Sequence, residues 1–163
     1  MTDREPRRRG RVMAAGLIIG ALLLQAGCSG GTGPSTDGTD DGFMTYSQVV
    51  DEYNAAQASL PLAPGDQYPP FPEGYDQQGR YEAMYGKSIA FGVYMCSWEE
   101  EWLNTRTADA GRASKALGIL QAMPDNPIFK ATYDDDLQAE IIAAFDKAAL
   151  GDPSEVQSWA DAC

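Results

Sequence analysis

The sequence predicts an all-α fold: a small bundle of about five helices with a proline-rich extended arm and one disulfide. Apolar residues recur at steps of three and four along several segments, as in amphipathic helices. Capping residues, prolines and glycines mark where those segments begin and end. No alternating strand pattern, internal repeat or hairpin turn signal stands out in the 163 residues.

The first helix is predicted over residues 46–59. Thr45 and Gln48 fit a capping box, with Thr45 as the N-cap and Gln48 three residues later. Apolar residues then follow at helical spacing until Pro61 stops the helix.

Five prolines between residues 60 and 75 forbid a regular helix or a central strand. We expect an extended arm, close to polyproline II, whose aromatic residues Tyr68 and Phe71 pack over the helices. The alternative is a docking peptide, because Pro61 and Pro64 match a PxxP motif.

The longest helix is predicted over residues 80–105, where one apolar stripe includes Cys96. Gly86 and Gly92 interrupt it, and such glycines often allow a neighbouring helix to approach closely. Each glycine costs roughly 1 kcal/mol in a helix interior.

Three further helices complete the prediction. The third is capped by Thr107 or Asp109 and runs to about Met123, and a short turn or single helical turn follows Asn126. The fourth begins at the aspartates of residues 134–136 and ends before Gly151. The last has Asp152 as N-cap and Pro153 at its first position, which brings Cys163 onto its apolar face.

The amino-terminal residues form a leader. Five arginines precede an uncharged apolar run, residues 12–24, which is too short for a comfortable membrane span of roughly 20 residues. Residues 22–28, Leu-Leu-Leu-Gln-Ala-Gly-Cys, resemble the lipobox of a bacterial lipoprotein precursor. The resemblance implies cleavage between Gly27 and Cys28 and lipidation of Cys28. An uncleaved anchor helix is the alternative, and the arginines leave both the general secretory and the twin-arginine export routes open.

The resemblance divides the chain into three parts: a signal peptide (1–27), a lipidated cysteine with a Gly/Ser/Thr/Asp tether expected to be disordered (28–42), and one helical domain (43–163). This organisation is similar to that of uncharacterised envelope lipoproteins of high-GC Gram-positive bacteria. It implies a protein lipid-anchored to the cell membrane on its extracytoplasmic face. Once Cys28 is lipidated, Cys96 and Cys163 remain, and two thiols in an oxidising compartment most simply pair.

The stretch from Trp98 to Trp102 contains three consecutive glutamates. A carboxyl held against tryptophan can have a raised pKa, which suits a general acid. A cell-wall hydrolase using Glu99, Glu100 or Glu101 is therefore one alternative. The other interpretation is a tryptophan pair at the edge of the core, with one glutamate neutralised by Arg106 or Arg112.

The amino-acid composition argues against several classes of function. The chain has 12 basic and 24 acidic residues, and removing the five arginines, Asp3 and Glu5 of the leader leaves a net charge of −15. Such a charge argues against binding nucleic acid. The absence of histidine excludes histidine-based catalysis and imidazole metal ligands. Asp134–Asp136 are explained by helix capping and lack an EF-hand pattern.

We therefore expect no cofactor, no metal and no catalytic residue. The expected function is a non-catalytic binding or interaction module for an unidentified envelope protein or ligand, with a purely structural envelope protein as a further alternative. The candidate surface or binding residues are Trp98, Glu99, Glu101, Trp102, Tyr68 and Phe71.

Overall fold

The structure is a computed structural model that describes residues 42–163. The expected signal peptide, the lipidation site Cys28 and the tether up to residue 41 lie outside the described residues. The described part is mostly helical, with one two-stranded sheet. Its elements are β1 (Phe43–Thr45), α1 (Tyr46–Gln57), β2 (Arg80–Glu82), α2 (Tyr85–Thr105), α3 (Ala110–Ala122), a 3-10 turn (Met123–Asp125), α4 (Pro127–Thr132), α5 (Asp135–Ala149) and α6 (Ser154–Ala160).

The predicted capping box at the start of α1 is confirmed. The side chain of Thr45 accepts a hydrogen bond from the Gln48 backbone, and the Gln48 side chain accepts one from the Thr45 backbone. The helix ends at Gln57, two residues earlier than predicted. Its buried face carries Val49, Tyr53 and Ala56 against α2.

The sheet corrects the all-α prediction and the predicted start of the longest helix. Arg80–Glu82 pairs with Phe43–Thr45 as antiparallel strands, with Met44 opposite Tyr81. The chain turns at Met84, whose φ of 75° is left-handed, and α2 begins at Tyr85. Tyr81 and Met84 match the helical spacing of α2, so the apolar pattern extends past the true start of the helix. The strand pairing with residues 43–45 sets that start, and no local pattern indicates it.

The two glycines of α2 have different environments. A Cβ atom at Gly86 would lie 2.2 Å from the backbone oxygen of Val49, whereas a Cβ at Gly92 would meet nothing within 4 Å. Gly86 also donates its backbone N–H to the Glu52 carboxylate over 3.0 Å. Only Gly86 therefore serves the close approach of α1 and α2.

The later helices follow the predicted caps with two corrections. Asp109, one of the two predicted candidates, caps α3, and Asp134, the first of the three aspartates, caps α5. Asn126 caps a complete short helix, α4, which raises the described helices to six. The last helix begins at Ser154 rather than Pro153, and Asp152 accepts a hydrogen bond from the Ser154 N–H just before it.

Helix α2 lies at the centre of the fold and packs against α1, α3, α4 and α6. The largest buried side chains of the core include Tyr53, Phe91, Phe129 and Phe145. Because α2 has neighbours on several sides, most of its circumference is removed from water. Among the described residues, no helix combines the length and apolar character needed to cross a bilayer.

Candidate functional site

The structure places most of the candidate binding residues inside the protein. The exposed fractions are 3% for Trp98, 4% for Trp102, 1% for Glu99 and 9% for Glu101. Tyr68 and Phe71 are half-buried against the core. Of the six candidate surface or binding residues, the four on α2 therefore offer little exposed surface, because the neighbouring helices cover them.

The side chain of Trp98 holds the segment that follows α1. Its indole Nε1 donates to the backbone oxygen of Pro61 over 3.0 Å. The ammonium of Lys115 lies 5.8 Å from the centre of its ring, which adds a cation–π contact from α3. Trp98 is thus a packing residue of the core.

Glu101 is paired with Arg112 of α3. The guanidinium donates through Nε to Oε1 over 2.8 Å and through Nη2 to Oε2 over 2.7 Å. This two-pronged bond raises the pKa of Arg112 and holds α2 and α3 together. The expected neutralisation of one glutamate by Arg106 or Arg112 is confirmed for Arg112.

Glu99 has the most unusual environment of the three glutamates. Neither of its carboxylate oxygens has a hydrogen-bond partner among the described residues. Burial, with a smaller contribution from the neighbouring Glu100, raises the pKa of Glu99 to about 8. The ordinary pKa of a glutamate is about 4.5, so at neutral pH this carboxyl carries a proton.

The predicted disulfide between Cys96 and Cys163 is confirmed, with the two Cα atoms 6.1 Å apart. A carboxylate oxygen of Glu99 and both sulphur atoms all lie within 4.8 Å of one another. Since the two sulphurs are bonded to each other, they offer no thiolate to a metal ion. The cluster therefore combines a disulfide with a buried acid.

The segment between α1 and β2 is attached to α2 through polar contacts. Ser97 accepts a hydrogen bond from the Ala63 N–H over 2.9 Å and donates to the Asp66 carboxylate over 2.7 Å. On the other side, Tyr53 donates through its hydroxyl to the Pro69 backbone oxygen over 2.8 Å. Asp66 is thereby held in a defined position although it lies outside any helix or strand.

A groove of about 770 Å³ lies between this segment and α2. Leu62 and Asp66 line one side, and Val93, Ser97 and Glu100 line the other. The disulfide forms part of the same wall through Cys96 and Cys163. Among the described residues, those that line the groove include two acidic side chains and no basic one.

The sequence does not predict this groove. It indicates Glu100 only as a hydrolase candidate, and no motif marks Asp66 or Ser97. The spacing of Val93, Cys96, Ser97 and Glu100 places them on one helix face, which is a usable signal. No local pattern indicates that Asp66 meets this face, since the contact is made across a long stretch of irregular chain.

Comparison with known proteins adds no relative: no protein-family model, curated protein or solved structure matches the chain.

Proposed function

We propose that the protein is an extracytoplasmic lipoprotein, anchored through Cys28, whose helical domain is a non-catalytic binding module for a cationic ligand. The observation that carries the binding proposal is the groove beside α2, with Asp66 and Glu100 as its charged side chains. The apolar side chains of Leu62 and Val93 lie beside them. This combination suits a basic peptide segment whose lysine or arginine follows an apolar residue.

The overall charge supports the same ligand class. The chain has a net charge of −12, and the acidic excess is larger still without the arginine-rich leader. A field of this sign attracts cations and repels nucleic acid and anionic surfaces. The extended proline-rich arm, as predicted from the sequence, would form one wall of the groove.

The position of the glutamates favours binding over the hydrolase alternative. A general acid must reach the bond that it protonates. Glu99 has the raised pKa that such an acid needs, but its side chain is only 1% exposed. Glu101 is occupied by Arg112, so Glu100 alone of the three faces the groove.

The groove proposal is tested with a fluorescent peptide that alternates lysine with leucine. Replacing both groove acids, as Asp66→Asn with Glu100→Gln, should weaken binding by about tenfold or more, since charge-assisted contacts contribute about 1.5–3 kcal/mol. Asp146→Asn with Glu140→Gln is the matched control, because it makes the same charge change at exposed positions on α5. Equal weakening by the two double variants would show non-specific charge attraction and would contradict the groove as the binding site.

If the wild-type protein does not bind the peptide, the binding proposal is wrong and a structural role is favoured.

The anchoring proposal rests on residues 22–28 and is tested separately. Intact-mass analysis of the membrane fraction should show a chain that begins at an acylated Cys28. Cys28→Ala should release the protein from the membrane, because stable attachment requires the acyl chains. Retention of residues 1–27 in the membrane-bound protein would contradict the lipoprotein assignment.

A further inference from the structure

Binding of a cationic ligand in the groove does not explain why a buried carboxyl, Glu99, lies beside the Cys96–Cys163 disulfide. A buried carboxyl without a hydrogen-bond partner is costly, so a fold that retains one calls for an explanation. Here the carboxyl lies on α2 one helical turn after Cys96, and its oxygen is within 4.8 Å of both disulfide sulphurs. The carboxyl of Glu99 is therefore close enough to the disulfide to influence its chemistry.

We propose that the Cys96–Cys163 disulfide is a thiol–disulfide exchange site for a dithiol partner, with Glu99 donating the proton to the departing Cys96 sulphur. This role does not depend on the cationic ligand proposed above. It requires access to one sulphur, a leaving group that needs a proton, and an acid that holds one.

The two sulphurs differ in accessibility in the way that exchange requires. Cys163 is exposed and Cys96 is half-buried, and both line the open groove beside α2. We therefore expect an incoming thiolate to attack the sulphur of Cys163, the more exposed residue of the two, and to displace the sulphur of Cys96. The groove, at about 770 Å³, has room for the side chains of a dithiol-bearing peptide.

Proton donation matters because of where the displaced sulphur lies. A thiolate at a half-buried position next to apolar side chains is less stable than one in water. Glu99 is protonated at neutral pH because burial raises its pKa to about 8. The carboxyl oxygen lies within 4.8 Å of the sulphurs, so the Glu99 side chain must rotate toward Cys96 for the proton to pass.

The chemistry balances as an exchange of two electrons and two protons. The first thiol of the partner loses its proton to solvent and attacks Cys163, which breaks the disulfide and displaces Cys96. Cys96 takes a proton from Glu99, and Glu99 recovers one from solvent after the broken disulfide lets Cys163 move away from it. The second thiol of the partner then attacks the mixed disulfide, and Cys163 leaves and takes up the remaining proton. The partner is oxidised to a disulfide, and Cys96 and Cys163 are reduced to thiols.

The groups that influence this acid are few among the described residues. Glu100 of the same helix raises the pKa of Glu99. Tyr133, which follows α4, has its own pKa raised by burial and by Glu99. Cys163, beyond α6, faces it as part of the disulfide and does not titrate in the oxidised state.

The test measures the rate at which dithiothreitol reduces Cys96–Cys163 between pH 5 and pH 9.5. Each rate is divided by the concentration of dithiothreitol thiolate, so that the pH dependence of the reductant is removed. In the wild-type protein the corrected rate should be constant up to about pH 8 and fall above it, as Glu99 loses its proton. General acids contribute about 10²–10⁴-fold for poor leaving groups, and for a thiolate we expect about tenfold.

Glu99→Gln should lower the corrected rate at pH 7 by about tenfold and leave it independent of pH, because an amide has no proton to donate. Glu140→Gln, an exposed change on α5, should behave as wild type. Equal rates for wild type and Glu99→Gln would overturn the proposal. If Glu99→Gln does not fold, the wild-type profile decides alone, since a flat corrected rate across pH 8 would exclude Glu99 as the donor.

Discussion

Residue by residue, Glu99 shows how a single side chain can be chemically distinct from its neighbours in the sequence. Three consecutive glutamates have three different environments: a sealed site for Glu99, the groove for Glu100 and an ion pair for Glu101. The difference arises because α2 has neighbours on several sides, and successive residues point about 100° apart around a helix. Consecutive glutamates therefore point toward different neighbours.

The buried acid predicts a characteristic dependence of stability on pH. Because the pKa of Glu99 is about 8 in the folded state, the folded protein holds a proton that the unfolded chain releases above pH 4.5. The stabilisation is fully present below the unfolded pKa and is lost as the pH rises to about 8, by about 1.4 kcal/mol per pH unit.

Chemical denaturation at several pH values between 5 and 8 measures this effect. Glu99→Gln should remove the slope, so the difference in unfolding free energy between wild type and variant isolates the contribution of Glu99. Wild-type and variant curves that stay parallel across this range would show that Glu99 ionises normally in the folded protein.

Within the elements, the contact between α1 and α2 depends on one glycine. Gly86→Ala should destabilise the protein by about 1–3 kcal/mol, since its Cβ would lie 2.2 Å from the Val49 backbone oxygen and the helices must separate. Gly92→Ala is the matched control in the same helix. With nothing within 4 Å of its Cβ, it should stabilise by up to about 1 kcal/mol through helix propensity.

Thermal or urea unfolding of the two variants measures both changes. Equal effects at the two positions would contradict the close helix contact. The sequence identified both glycines as possible sites of close approach, but a glycine alone carries no information about which neighbour it faces. That distinction arises only when α1 lies across the start of α2.

For the molecule as a whole, the disulfide connects Cys163, just beyond α6, to the central helix across 67 residues. In the chain-entropy model, a crosslink of this span stabilises the folded state by about 4 kcal/mol. We expect Cys163→Ser to lower the melting temperature substantially, because small domains have net stabilities of only about 5–15 kcal/mol.

Reductant should lower the melting temperature of the wild-type protein in the same way and have no further effect on Cys163→Ser. The measurement is a thermal melt with and without reductant, with Ser158→Ala, an exposed change on α6, as the control. Free thiols that titrate at Cys96 and Cys163 in the unreduced protein would contradict the bond.

The sequence by itself determined the features whose causes are local. The Thr45–Gln48 capping box, the Asp109 and Asp134 caps and most helix boundaries follow from hydrogen bonds within a few residues. The pairing of Cys96 with Cys163 also followed from the sequence, once the lipobox resemblance set Cys28 apart and left two cysteines.

Only the tertiary structure decided the features that depend on residues distant in the chain. Strand pairing of Phe43–Thr45 with Arg80–Glu82 delayed the start of the longest helix to Tyr85, because the backbone groups of residues 80–82 were satisfied by a partner that no local pattern reveals. The burial of Glu99 and the meeting of Asp66 with the face of Glu100 arose in the same way. The periodicity of the sequence indicates which residues share a helix face. Packing determines whether that face contacts protein or water. The pKa of a carboxyl on that face depends on this difference, because burial disfavours the charged form.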